Sequence, residues 1–288
     1  MFTMASALER TLTSLQAGKL RLHIARPVGL FRRKPRSHFH ATAEFFLQTG
    51  GGTDFECPGE TFRLGTWGVC VMPGGVPHAE TPLDLKTPYG LLVCMQARDG
   101  FLVHQAVANN RREIAASRVE HLASPRGQAA FRYLDEMAGP VPEKHRRDFE
   151  KSLLEAFLIT VLGELHRPSA GRASRSPLVA EAEKLARALL ADPALSVAGL
   201  AGSLGCSADY LSRRFQQERG STLSGWIVRE RIAMARDLLT DPRHSISEVG
   251  WACGFTTASY FIRVFRQQTN LTPRAWREAA AAGSSPVS

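Results

Sequence analysis

Two groups of residues have the types and spacings to do chemistry. The first is His38-Phe39-His40-Ala41-Thr42-Ala43-Glu44, followed by Gly68 and by Pro73-Gly74-Gly75-Val76-Pro77-His78. Side chains at even spacings share one face of an extended strand, so His38, His40 and Glu44 could all point inward. Imidazoles and a carboxylate on one face offer donors and acceptors to a small polar ligand. The second group is a pair of arginine-bearing stretches, Tyr210-Leu211-Ser212-Arg213-Arg214-Phe215-Gln216-Gln217 and Tyr260-Phe261-Ile262-Arg263-Val264-Phe265-Arg266-Gln267. A guanidinium fork suits bidentate contact with guanine or phosphate.

The elements that must position the arginines are written twice. Leu189-Leu190-Ala191-Asp192-Pro193 recurs as Leu238-Leu239-Thr240-Asp241-Pro242, and the offset is 49 residues up to Gly205 and Gly254 and 50 after them. Asp-Pro stops the preceding helix, because proline disfavours helical geometry in the residue before it. Ser196 and Ser245 then stand where an N-cap is wanted. Val197, Leu200, Ala201 and Leu204 fall on one face of a short helix, as do Ile246, Val249 and Cys253. Gly205 and Gly254 permit the left-handed terminator, and a polar turn leads to the next helix. Leu211 with Phe215, and Phe261 with Phe265, are pairs four apart that bury one face. Each copy is thus a helix-turn-helix unit.

With those pairs inward, Asp209, Ser212, Arg213 and Gln216 face outward in the first copy. Ser259, Ile262, Arg263 and Arg266 do so in the second, with Thr257 and Ala258 at the helix entrance. Arg213 and Arg263 are the candidates for base edges, each worth about 1–3 kcal/mol of discrimination. Arg214, Arg219, Arg266 and Arg274, with the helix starts behind Ser196 and Ser245, are the candidates for phosphates. An isolated arginine is more often a solvated surface charge, and the repeated placement of Arg213 and Arg263 is what argues otherwise. Thr272-Pro273 caps a further helix.

Ile246-x-x-Val249, Gly254-Phe255, Tyr260-Phe261, Phe265-Arg266, Pro273 and Trp276-Arg277 resemble the signature of AraC/XylS-type transcription regulators, over about the last hundred residues. Gly250 stands where that pattern has alanine and Asn270 where it has glycine. The resemblance implies major-groove contacts from the matching positions, on two recognition helices about 34 Å apart that read a non-palindromic site. It also implies a ligand-sensing domain, a dimer contact and, for an activator, contact with RNA polymerase.

From Leu22 to about Met95 short strand-like runs are punctuated by glycine and proline: Ala43–Leu47, Thr61–Leu64, Val69–Met72 and Leu91–Met95. Such spacing suggests a β-sandwich or small barrel. Here His38, His40, Glu44, Gly68, Pro73, Gly75 and His78 resemble the two cupin motifs. The resemblance makes His38, His40, Glu44 and His78 metal ligands, a set that suits Fe, Mn, Ni or Zn with neutral imidazoles. The same four residues could instead line a cavity for a small polar effector, or be hydrogen-bonded for structure alone.

The expected fold is α+β, with a cupin-like β-barrel over residues 1–117 and a helical connector over 118–167. A Pro/Ser/Arg linker follows at 168–177, then an all-α tandem helix-turn-helix domain at 178–280 and a disordered tail at 281–288. Residues 1–22 read as an arm or edge strand. In the connector Phe149, Leu153, Phe157, Val161 and Leu165 form a stripe that is core or a partner-helix seam, and the family resemblance points to the latter.

Composition sets outer bounds. With 36 Lys+Arg against 27 Asp+Glu the net charge is +9, which favours polyanion partners. Cys57, Cys70, Cys94, Cys206 and Cys253 form no C-x-x-C pair, in keeping with a reducing compartment. No signal pattern or spanning segment appears, so a cytoplasmic protein is expected. No nucleophile–base pair or phosphate-cradling loop appears either. A regulator that senses a small molecule and binds double-stranded DNA as a homodimer is therefore expected, not an enzyme. The alternatives are a metal-dependent cupin enzyme with a DNA-binding appendage, and a DNA binder whose barrel only dimerises.

Overall fold

The computed structural model describes residues 3–28, 37–84, 88–108, 114–167 and 176–282. The chain divides into two compact units, Met1–Gly171 and Arg172–Ser288.

The first unit begins with a helix, α1 (Met4–Gln16), where an arm or edge strand was expected. Thr3 and Ser6 form a reciprocal capping box, and Ala7, Leu8, Thr11 and Leu15 bury one face. The helical period is present in the sequence but diluted by Ser and Thr; Thr11 enters the buried face because its hydroxyl bonds back to the Ala7 carbonyl at 2.9 Å.

Nine strands follow among the described residues: β1 (Arg21–Ile24), β2 (Glu44–Gly50), β3 (Gly52–Cys57), β4 (Glu60–Gly65), β5 (Gly68–Met72), β6 (Ala79–Pro82), β7 (Gly90–Ala97), β8 (Gly100–Ala108) and β9 (Ile114–Leu122). They pair as a six-stranded sheet, β1-β5-β2-β7-β8-β9, and a three-stranded sheet, β4-β3-β6. The four expected runs fall within or overlap β2, β4, β5 and β7. Alternation along β2 decides the layers. Phe45 and Leu47 join a cluster with the helices, whereas Phe46 packs with Phe55, Cys57 and Leu64 of the smaller sheet.

The connector starts later than residue 118, because that position lies inside β9, a strand whose alternation is masked by arginine, glutamate and histidine. Helix α2 (Pro125–Met137) begins after Ser124, which caps the Gly127 N–H, with proline in the first turn. Helix α3 (Glu143–Leu165) buries Leu154, Phe157, Leu158, Val161 and Leu162. The Phe157 ring meets Phe45 at 5.4 Å and Phe131 at 5.2 Å between centroids. Of the two readings of the stripe, core or partner-helix seam, the first holds for Phe157 and Val161, which lie in the core of their own unit, with Phe149, Leu153 and Leu165 half-buried at its border. The buried face of α3 packs in one cluster with residues of α1 and of the sheet.

Most of the expected linker, residues 168–175, lies outside the described residues, as do residues 283–288 of the expected tail. Ser176 and Pro177 are the N-cap and first residue of α4 (Pro177–Ala188). The second unit continues with α5 (Val197–Ser203), α6 (Ala208–Arg219), α7 (Leu223–Leu238), α8 (Ile246–Ala252), α9 (Ala258–Thr269) and α10 (Pro273–Ala281). Among the described residues no helix is long and apolar enough to cross a membrane.

Candidate nucleic-acid interface and inner-sheet site

The duplicated caps form as their sequence requires. Ser196 accepts from the Gly199 N–H and Ser245 from the Glu248 N–H; Ser207 and Thr257 cap α6 and α9 in the same way. Gly220 and Asn270 end these two helices in left-handed geometry, φ 64° and 60°, so the Asn270 departure keeps the terminator. Leu211, Phe215, Phe261 and Phe265 are fully buried. Phe215 packs edge-on against Trp226, and Phe265 against Trp276, both at 5.9 Å. Arg187 lies over the Trp226 ring at 5.2 Å and Arg236 over the Trp276 ring at 4.7 Å. This Phe–Trp–Arg set recurs at the repeat spacing, and its cationic third member went unread because a helix-surface arginine carries no pattern of its own.

Helix α7 locks the two copies together by touching α4, α6, α8 and α9. Its Arg231 donates to the Leu190 carbonyl at 3.0 Å and the Asp192 carbonyl at 2.7 Å. Gly254 is required here twice over. Its φ is +76°, and a Cβ would come within 2.4 Å of the Leu190 carbonyl oxygen and 2.7 Å of Arg231 Nη2.

Asp209, Ser212, Arg213 and Gln216 on α6 are exposed, as are Ser259, Ile262, Arg263 and Arg266 on α9 and the cap Thr257. Arg214 and Ala258 are half-buried. Ser259, Ile262, Arg263, Arg266, Gln267 and Thr272 line an open concave surface on the second copy. Two aromatic rings to which the sequence reading gave no role, Tyr210 on α6 and Tyr260 on α9, are 53% and 41% exposed at equivalent positions of the two copies. Arg263 stacks over Tyr260 at 5.4 Å, which holds the guanidinium on the outer face.

The expected phosphate contacts fare differently. Arg214 donates to Glu218 at 2.9 Å, Arg219 pairs with the buried Glu183, and Arg274 donates to Glu278 at 2.9 Å. These guanidiniums are met by carboxylates within the unit. At α8 the Glu248 side chain accepts from the Ser245 N–H at 2.7 Å, which puts a negative charge where a phosphate would dock. Arg266 remains exposed at the end of α9.

In the first unit the second constellation assembles between the sheets. His38 and His78 form a two-way backbone bridge, each N–H donating to the other's carbonyl at 2.9 Å. Glu44 shares the Phe46 face of β2, and its side chain is 3% exposed. One donor atom each from His38, Glu44 and His78 lies within 4.8 Å of the others. His40 stands outside that group and meets Glu44 Oε1 at 3.4 Å. Glu80 joins the site unannounced by any motif, with Oε1 3.4 Å from His78 Nε2. Its signal was a two-residue step from His78 along one strand face. His104 could not be found the same way, because only the register that sets it opposite Val93 turns it inward.

The electrostatics follow from burial against charge. Burial pushes the Glu44 carboxyl up, but the imidazoles of His40 and His78 outweigh it and hold Glu44 below the usual carboxylate range. Burial likewise opposes a charged His78, but Glu44 and Glu80 raise it well above the ordinary imidazole value. His40 and His104 are held at about 4 by burial. Glu44 Oε2 and His78 Nε2 are buried without a hydrogen-bond partner, although they face each other at 3.3 Å. A protonated His78 between Glu44 and Glu80 is an internal ion pair, and the His38, Glu44 and His78 donors would suit a divalent transition metal ion only with that proton displaced.

A family model described as a helix-turn-helix domain matches residues 200–279. The chain is 37% identical over 79 residues to the regulatory protein PocR of Salmonella typhimurium, a match covering 27% of this chain and 26% of that one. It is 36% identical over 72 residues to the HTH-type transcriptional activator RhaR of Escherichia coli (strain K12), covering 25% and 26%. The match thus spans about a quarter of the length of these curated relatives. A crystal structure of a transcriptional regulator (AraC-type DNA-binding domain-containing proteins) from Chromobacterium violaceum is similar at 35% identity and TM-score 0.34, over 36% of this chain and 93% of that one.

Proposed function

Because residues 200–279 are an AraC-type helix-turn-helix domain, we propose that this chain is a transcription regulator that binds double-stranded DNA sequence-specifically through α6 and α9. The observation that carries the proposal is the matched pair Arg213 and Arg263. Both are exposed at the same place in their helices, between the first and second turns after the cap, with Leu211/Phe215 and Phe261/Phe265 buried behind them. Rigid bracing of the two copies by α7 lets one chain address two successive major-groove faces.

The two-sheet unit is the sensor in this proposal. His38, His40, Glu44 and His78 surround a polar interior suited to a small-molecule effector or a divalent transition metal ion. The role is regulatory, not catalytic, and places the protein in the cytoplasm, as a homodimer, with RNA polymerase as a further partner if it activates. An effector switches DNA binding only by favouring one of two arrangements of the protein.

The test is an operator selected from a random-sequence duplex library. Arg263→Ala is expected to lower affinity for that operator by about 1–3 kcal/mol more than for random duplex. Equal loss on both would reject base reading by Arg263, and failure of any sequence to enrich would reject the proposal.

A further inference from the structure

We propose that Ile262 reads the 5-methyl group of a thymine in the major groove, so that the half-site addressed by α9 carries a thymine close to the position read by Arg263. The inference rests on the proposed duplex binding through α9 and names one base of its target.

An exposed isoleucine alone means little, because single apolar side chains are common on protein surfaces. The surroundings of Ile262 are what distinguish it. It is 39% exposed and lies in the open concave surface of the second copy, where the other lining residues, Ser259, Arg263, Arg266, Gln267 and Thr272, carry hydroxyl, amide or guanidinium groups. Ser259 and Arg266 stand three residues before and four after it and share its face. The core of the unit does not claim this side chain: Phe261, Val264, Phe265 and Thr269 are the buried residues of α9. The first copy shows that the frame tolerates a polar residue there. Ser212 stands at the equivalent position and is exposed, between a side-chain cap and a buried pair of the same spacing.

The chemistry of the duplex then selects the occupant. In the major groove guanine, cytosine and adenine present hydrogen-bond donors and acceptors, and thymine adds the apolar 5-methyl group. Isoleucine has neither donor nor acceptor, so pressing it on a polar edge strips that edge of water without replacing the bond. Phosphate oxygens suit the guanidinium of Arg266 instead. Against a methyl group the contact is favourable, because water leaves both apolar surfaces. Arg263 is stacked over the Tyr260 ring, three residues nearer the helix start, so guanidinium and isoleucine address different positions. A rise of ~1.5 Å per helical residue against ~3.4 Å per base pair keeps those positions within about two base pairs.

The experiment measures the affinity of the full-length protein for the operator selected from the random library, with each thymine replaced in turn by deoxyuridine, which lacks only the methyl. At one thymine, close to the position where Arg263→Ala relaxes specificity, the wild-type protein is expected to lose about fourfold, the ~0.8 kcal/mol of one buried carbon group. Ile262→Ser, which gives the second copy the side chain of the first, is expected to bind the thymine and deoxyuridine operators equally, and Ile262→Val to keep part of the difference. Cytosine and 5-methylcytosine at that position supply an independent arm. The methylated base should bind wild-type protein more tightly than the unmethylated one, and Ile262→Ser should not distinguish them. Each readout is a ratio of two duplexes on one protein preparation, so loss of folded material in a variant does not imitate the result. A methyl effect that persists in Ile262→Ser would assign it to another side chain and overturn the inference. Absence of any deoxyuridine-sensitive thymine would overturn it too. Both outcomes leave base reading by Arg263 standing, whereas failure of any sequence to enrich would overturn the inference together with the reading it rests on.

Discussion

In the first helix-turn-helix copy α5 carries Ala201 and α6 carries Leu211; at the equivalent positions the second copy has Gly250 and Phe261. All four are buried. A Cβ on Gly250 would lie 2.7 Å from Phe261 Cδ1 and 3.0 Å from its Cβ. The second copy has therefore exchanged a methyl on one helix for an aromatic ring on the next. The ring extends a chain of aromatic contacts, Phe255 to Phe261 at 5.2 Å and Phe261 to Phe265 at 5.6 Å. The frame common to both copies is made of caps, left-handed terminators and the Phe–Trp–Arg set. Packing between the two short helices changes here as a correlated pair, while the exposed face differs at most positions.

The pairwise exchange can be broken from either side. Gly250→Ala improves helix propensity by roughly 1 kcal/mol yet overpacks against Phe261, and a net loss of about 1–3 kcal/mol in urea unfolding is expected. Adding Phe261→Leu should recover most of that loss, leaving the second copy packed like the first. Ala201→Gly in the first copy should cost only about 1 kcal/mol. If Gly250→Ala stabilised the protein, the glycine would be an unfavourable helical residue and nothing more.

The exposed faces sharpen the comparison further. Asp209, Ser212 and Gln216 become Ser259, Ile262 and Arg266, while Arg213 and Arg263 stay. The two helices should therefore read different half-sites with one shared element. Arg213→Ala and Arg263→Ala should each relax specificity by about 1–3 kcal/mol, at separate positions of the operator. Tyr260→Ala should reproduce part of the Arg263→Ala loss, about 0.5–1 kcal/mol, because it releases the stacked guanidinium, and Tyr260→Phe should not. Loss of specificity at the same base positions for both arginine variants would mean that the copies do not address separate sites.

How much of this was legible in the sequence differs between the units. The tandem copies were readable almost residue by residue, since caps, glycine terminators and pairs four apart are local features. What stayed hidden there was pairing among side chains: Glu218, one turn on in the same helix, meets Arg214, and Glu183 of α4 meets Arg219, so both guanidiniums also brace the unit itself. In the two-sheet unit, strand positions were readable from turn residues, and His38, Glu44 and His78 from their motifs. Glu80 stands two residues past His78 on one strand face and was passed over for want of a motif, whereas His104 was not readable, because it is placed by the register of β8, a long-range property. Helix α1 was missed for an opposite reason. Its signal is local, but it is written in Ser and Thr that read as polar until their backbone bonds are seen.

The smallest difference between the copies lies in their first caps. Ser245 and Glu248 satisfy each other's N–H groups, at 3.2 and 2.7 Å. Ser196 has Gly199 three residues on and makes only the forward bond, at 3.1 Å. A Cβ at Gly199 would have Ser196 Oγ, at 3.2 Å, as its one neighbour within 4 Å among the described residues beyond its own helix backbone, so there is room to start the second half of the box. Gly199→Ala should stabilise the second unit by about 0.5–1 kcal/mol through propensity alone. Gly199→Glu should exceed it by a few tenths if the carboxylate reaches the Ser196 N–H. Calorimetry of the two variants isolates that increment, and salt separates its causes. A hydrogen-bonded box persists at high ionic strength, whereas attraction of a loose carboxylate to the helix start is screened. An increment that vanished in salt would make the cap of the second copy an electrostatic accident of Glu248, not a shared design that the first copy lacks for want of one side chain.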